Sequence, residues 1–184
     1  ACLVGSEMCI RDSYYAANEL LEYYRTRVDV NNPNVNLINP TISEKDQRIA
    51  DQALEHRFYV KGFAESVDEV TKLETYYSFY DASAKKIDWN ANEDKQKKEQ
   101  EFRYQLHRHQ WMLPQAKAYR ISKDEKYIQS WIEAYGSWIE TFPYTPGTIF
   151  PPAGGSENDV DYQWKGLQVA ERVLSQVDIM PYFI

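Results

Sequence analysis

Residues 102–123 read FRYQLHRHQWMLPQAKAYRISK, and both the fold and the chemistry of the chain turn on this run. His107 and His109 are two of only three histidines in the chain. Arg103, Arg108, Lys117, Arg120 and Lys123 surround them, and no Asp or Glu interrupts the run. The chain as a whole carries a formal charge of -7, so this window is a local basic island. Clefts lined by one sign of charge concentrate ligands of the other, which points to an anionic ligand. Helical spacing predicts a central helix from Lys97 to Ile121 with Pro114 inside it, where the missing N–H predicts a kink. On such a helix His107 and Trp111 lie one turn apart, with Arg108 about 100° round and His109 about 100° further. Arg108 offers a planar fork for a carboxylate or sulfate, the imidazoles offer donors or a proton shuttle, and Trp111 offers a flat apolar face.

Outward from this run the pattern is helical. After Asp124, Tyr127, Trp131, Tyr135 and Trp138 recur at steps of four, four and three, a wide apolar face that Pro143 and Pro146 end. A final helix is predicted from Asp161 to Met180, with Trp164, Leu167, Val169, Val173, Leu174 and Val177 as its apolar set and Arg172 embedded among them. An unpaired buried guanidinium is costly, so Arg172 needs a cleft or a partner on another helix. Upstream, Ser13 caps a helix to about Arg27, and Ser43 with Asp46 approximates a capping box for a second. Residues 58–60 read as a short strand or extended segment, residues 67–80 as a helix with a tyrosine-rich end, Trp89 as an aromatic anchor, and residues 145–159 as a long loop. Helix pairs with almost no alternating pattern predict an all-α fold: a toroid, solenoid or bundle.

The 184 residues suffice for one domain. Aromatic residues make up 15%, with fifteen Tyr and five Trp, a content that suits either sugar stacking or an aromatic-rich helical core. The acidic balance argues against nucleic-acid binding, and no run approaches the roughly 18 apolar residues of a membrane span. Cys2 and Cys9 both lie in ACLVGSEMCIRDS, residues 1–13. Residues 1–12 resemble translated sequencing-adaptor strings and are set aside, which leaves residues 13–184 as the domain and any export signal outside the sequence. His107-x-His109 diverges on a helix and lacks nearby acids, which argues against a metal site. No G-x-S-x-G elbow and no phosphate-binding glycine pattern occurs.

Several stretches together carry a family resemblance: LLEYYRTRVDVNNPNVNL (residues 20–37), Ile87-Asp88-Trp89, LHRHQW (106–111), AYRISKDEKYIQSW (118–131) and WKGLQVAERV (164–173). Residues 13–177 resemble the N-terminal region of heparinase II/III-type polysaccharide lyases, most closely the bacterial heparinase III-like heparan-sulfate lyases. The resemblance implies an incomplete (α/α) toroid of antiparallel helix pairs, followed in the whole protein by an antiparallel β-sandwich. It also implies β-elimination at C4 of a hexuronic acid. A base removes the C5 proton, an amide or imidazole neutralises the carboxylate, and an acid protonates the leaving oxygen. No stretch here matches the family's Asn, Tyr and His motifs for these roles, so the catalytic residues are expected beyond residue 184. Position by position, the resemblance assigns His107, Arg108, His109, Trp111, Trp164 and Arg172 to holding an acidic polysaccharide, heparan sulfate or heparin. It implies a periplasmic monomer without cofactor or metal. Residues 89–100 depart from the family pattern, with more lysine and fewer aromatics. The remaining alternatives are a lyase of another polyuronide such as alginate, and a non-catalytic helical module that binds acidic glycans or a protein partner.

Overall fold

The computed structural model of the chain describes residues 18–19, 22–23, 26, 35–63, 74–144 and 162–184. Asn18, Glu19, Glu22, Tyr23 and Thr26 are helical, in agreement with the first expected helix. Ser43 Oγ then accepts the Asp46 backbone N–H at 3.0 Å and starts helix α1, Glu44–Ala53. His56, with φ 54, turns the chain out of that helix and stacks on Tyr80 at 4.7 Å. Strand β1, Arg57–Tyr59, follows at the place where a short strand is expected. It pairs antiparallel with β2, Tyr76–Ser78, in the register Phe58 to Tyr77. A second antiparallel pair joins β3, Tyr80–Asp81, to β4, Lys86–Ile87.

These two small sheets correct the all-α expectation: the chain is mostly helical, with strands of two or three residues. The tyrosine-rich stretch expected to end a helix is extended instead. Tyr77 and Phe79 point inward while Ser78 and Tyr80 point outward, a period of two that three-residue strands show too briefly to stand out in sequence. Residues 1–12, the loop at 145–159 and the segment 67–73 lie outside the described residues.

Helix α2, Glu93–Lys98, leads into α3, Gln100–His107. The single long central helix is corrected as well, because the chain breaks at His109, whose φ of 61 and ψ of 14 are left-handed. A short 3-10 turn, Gln110–Met112, precedes α4, Leu113–Ser122. Pro114 therefore sits in the first turn of a helix rather than in the middle of one. There its missing N–H removes a donor that has no intrahelical acceptor anyway. Helix α5, Lys126–Thr141, crosses back, and a second 3-10 turn, Tyr162–Trp164, opens α6, Gly166–Phe183. The core is aromatic. Phe58 stacks on Trp111 at 4.0 Å and on Trp89 at 5.6 Å, and Phe102 meets Tyr77 edge-on at 4.8 Å. Trp89 is buried and donates its indole N–H to Ser137 at 3.1 Å, tying the β4–α2 turn to α5.

Helix α6 is inverted relative to its sequence pattern. Its buried stripe is Gln168, Arg172, Ser175, Ile179 and Tyr182, at steps of four, three, four and three. Leu167, Val173, Leu174 and Val177 are 61, 54, 61 and 55% exposed. Four of the predicted apolar set thus face out, while Gln168, Arg172 and Ser175 pack inward beside Ile179 and Tyr182, a partial reversal of the usual amphipathic arrangement. Ile139 and Met180, 48 and 40% exposed, add to this outward apolar surface, and exposed apolar patches mark interaction surfaces. The isolated 184-residue chain is expected to bind a hydrophobic dye and to self-associate, with a sedimentation coefficient that rises with concentration. Replacing Leu174 by Glu is expected to reduce both effects, and a concentration-independent, dye-silent monomer contradicts the expectation.

Candidate functional site

The break at His109 fixes where the side chains of the basic run go. His107, the last residue of α3, turns inward to meet Trp138 of α5, whose Nε1 donates to His107 Nδ1 at 2.8 Å. An acceptor at Nδ1 places the imidazole proton on Nε2. Phe142 meets the ring edge-on at 5.1 Å. The left-handed turn swings His109 to the same side, where its ring stands perpendicular to Trp138 at 4.9 Å and to Tyr135 at 5.8 Å. His109 Nδ1 lies 3.3 Å from Gln176 Nε2. Both imidazoles are 0% exposed. Burial, reinforced by the Arg172 charge, holds His107 down to about 3 and His109 well below its ordinary value. Both are neutral at physiological pH.

Arg172 reaches this cluster from α6. Its Nη1 donates to the backbone oxygens of His107, at 3.1 Å, and Gln163, at 3.0 Å. The guanidinium lies 4.3 Å from the ring centre of Trp138 and 5.1 Å from that of Trp164. Among the described residues no carboxylate comes within ion-pair distance of it. Burial lowers its pKa to about 10, so it stays charged, held by carbonyl dipoles and two indole faces. Trp164 is half-buried and also packs on Tyr144 at 5.4 Å. Trp111 leaves the group: it points away into the Phe58 stack and donates its N–H to the Leu106 carbonyl at 2.9 Å.

The six expected site residues therefore separate. His107, His109, Trp164 and Arg172 converge on Trp138, whereas Trp111 belongs to the neighbouring core and Arg108, which caps α3 with its side chain 11% exposed, is held by Gln168 and Glu101. This corrects the expectation that imidazoles, guanidinium and indole line one open cleft. His107, His109, Trp111 and Arg172 are each 5% exposed or less. The charge expectation is corrected too. Arg108 donates to Glu101 Oε1 and to Gln168 Oε1, both at 2.8 Å, and Lys117 pairs with Asp46 at 2.9 Å. The acids missing from the run in sequence are supplied across space.

Two concavities flank this network. A cavity of about 490 Å³ between α5 and α6 is walled by Trp138, Trp164, Val173, Val177 and Met180, with Arg172 as its one charged lining residue. A smaller one of about 190 Å³ lies between α1, β1 and the 3-10 turn, and Lys45, Asp46, Lys61, Gln110, Trp111 and Lys117 line it. Among the described residues no group of three or more His, Cys, Asp or Glu side chains could hold a metal ion. No described helix is long and apolar enough to cross a membrane.

Sequence reasoning passed over Trp138 as a site residue, although it stands in the stripe that begins at Tyr127. It took that stripe as packing only, while the indole N–H is what fixes the His107 tautomer. It also passed over Gln168, the partner of Arg108. Gln168, Arg172 and Ser175 recur at helical spacing, and that polar stripe was the available signal.

The break at His109, the stripe of α6 and the inward histidine–tryptophan pair together define a helical scaffold domain. Residues 4–184 match the Heparinase II/III N-terminus family, and the chain belongs to it. Over 173 residues it is 48% identical to a heparin-sulfate lyase of Bacteroides thetaiotaomicron, covering 94% of this chain and 22% of that protein. A heparin-sulfate lyase of Bacteroides stercoris is 34% identical over 177 residues, covering 92% of this chain and 24% of the relative. A crystal structure of heparinase III superposes with a TM-score of 0.70 at 47% identity, over 92% of this chain and 23% of that one. The chain spans about a quarter of the length of the relatives it matches.

Proposed function

We propose that this chain is the N-terminal part of a heparan-sulfate or heparin lyase, and that it forms part of the substrate cleft for β-elimination at a hexuronic acid whose reaction centre lies elsewhere in the longer protein. The observation that carries the reading is the 48% identity to a heparin-sulfate lyase along 94% of the chain. The inverted α6 supports the finer reading of an incomplete (α/α) toroid: its outward Leu167, Val173, Leu174 and Val177 suit packing against a further helix pair. On this proposal the protein works in the periplasm, and this domain holds no cofactor.

Within the cleft, Trp164 and the small exposed part of Arg108 face the polymer, while His107, His109, Trp111 and Arg172 hold the wall from inside. Arg108, its side chain 11% exposed and held by Gln168, exchanges the exposed Glu101 carboxylate for an anionic group of the polymer. The test is the full-length protein incubated with heparan sulfate, heparin and alginate while formation of unsaturated uronide ends is followed. Product from the first two supports the reading, product from alginate alone moves the substrate class, and none from any of the three refutes it. Arg108→Ala in that protein is expected to raise KM about tenfold with little change in kcat, the signature of lost uniform binding. An unchanged KM removes Arg108 from substrate binding.

A further inference from the structure

We infer that the 190 Å³ pocket between α1, β1 and the 3-10 turn is an anion subsite that takes one sulfate or carboxylate group of the polysaccharide. The inference rests on the lyase reading for the identity of the polymer, but the site itself rests on charge and shape. Lys45 comes from the first turn of α1, Lys61 from the turn after β1, and Lys117 from α4. They are distant in sequence and converge in space. Asp46 is the one acid in the lining, so the pocket carries three ammonium groups against one carboxylate in a chain of formal charge -7.

Lys117 is already committed to Asp46 at 2.9 Å. Lys45 is not committed to an acid: it donates to the Tyr59 hydroxyl at 3.3 Å and lies 4.8 Å from the centre of that ring. Lys61 is exposed, and among the described residues it too has no carboxylate partner. A structural cluster of cations brings its own counterions, whereas among the described residues Lys45 and Lys61 have no carboxylate partner. Ile49, Leu113 and Pro114 contribute apolar surface to the lining, and low-dielectric walls strengthen the field at the mouth. Gln105 and Gln110, whose side-chain amides also donate to Glu101 at 2.8 Å and Glu171 at 3.2 Å, complete the polar lining, and Tyr59 and Trp111 wall it with aromatic rings. The volume corresponds to roughly six water molecules, enough for one oxyanion with part of its hydration and too little for a sugar chain. The polymer therefore passes over the rim and drops a single charged group inside.

The test is the Lys45→Ala/Lys61→Ala variant of the full-length protein, assayed on heparan sulfate across a range of salt concentrations. KM is expected to rise about tenfold with kcat within about twofold of the parent, and the salt dependence of KM is expected to flatten as two contacts are lost. Both lysines lie at the pocket rim, so the melting temperature should stay at the parent value, and Lys45→Arg/Lys61→Arg should restore most of the affinity. On a desulfated polymer the penalty vanishes if the occupant is sulfate and persists if it is carboxylate. A parent-like KM and salt dependence in a variant that turns over heparan sulfate normally overturns the subsite. If the parent protein cleaves none of the polyuronides, the lyase reading fails instead. Direct binding of a sulfated heparan oligosaccharide then decides the subsite: weaker binding by the alanine pair supports it, and equal binding overturns it.

Discussion

Replacing Trp138 by alanine is expected to abolish the folded state at ambient temperature. The residue is 2% exposed, donates to His107, and presents its ring to His109, Arg172 and Trp164. Removing a buried tryptophan costs about 3–5 kcal/mol, and leaving a buried acceptor unsatisfied costs about 1–3 kcal/mol more. The total is comparable with the whole stability of a typical domain, about 5–15 kcal/mol. Arg172 would also lose one of the two aromatic faces that substitute for a counterion. Trp138→Phe keeps one aromatic ring but loses the N–H and part of the indole volume, so it is expected to fold with a loss of about 2–4 kcal/mol. Urea denaturation followed by circular dichroism separates the two. A Trp138→Ala protein that unfolds cooperatively at the parent midpoint contradicts the central place given to this residue.

The second large effect is sensitivity to acid. Burial holds His107 down to about 3 and His109 well below 6.5, so the folded state refuses protons that the unfolded chain accepts. Their contribution to stability is complete above about pH 6.5 and is lost progressively as pH falls from there toward 3. Each such histidine contributes about 1.4 kcal/mol per pH unit within that window, so the two together predict a loss of about 4 kcal/mol between pH 7 and pH 5. Glu74, Asp81 and Asp124, whose pKa values are lowered by hydrogen bonds, add their share only at lower pH. Unfolding free energies at pH 7, 6 and 5 test this. In His107→Gln the amide oxygen can accept from Trp138, and the pH dependence should fall by about half. A flat profile over this range would mean that the imidazoles are solvated.

The helical core was legible where one signal acts alone. Ser43 with Asp46 marked the start of α1, and the stripe from Tyr127 to Trp138 marked α5, because a cap and a 3.6-residue period are local properties. The strands were largely hidden because two or three residues hold barely one alternation, and Tyr77 and Phe79 read equally well as a helix end. The break at His109 was hidden too, since nothing in His-Arg-His announces a left-handed turn, and Pro114 drew attention five residues too late. Helix α6 misled for a different reason. Its apolar residues mark a face, and periodicity says nothing about which partner covers it, whereas the polar stripe through Arg172 is what this domain buries. The site shows the same limit: the run at 102–123 is basic in sequence, but Glu101, Asp46 and Gln168 neutralise or occupy it in space, and burial discharges both histidines. The surplus positive charge arises where Lys45 and Lys61 join Lys117, a convergence that only the fold creates.

The most direct measurement compares the full-length protein and the 184-residue chain on heparan sulfate, counting unsaturated uronide ends against time. The scaffold-and-cleft account predicts steady product from the full-length protein and none from residues 1–184 alone. Product formed by the short chain on its own would place the reaction centre among residues assigned here to structure and binding, and would contradict the account.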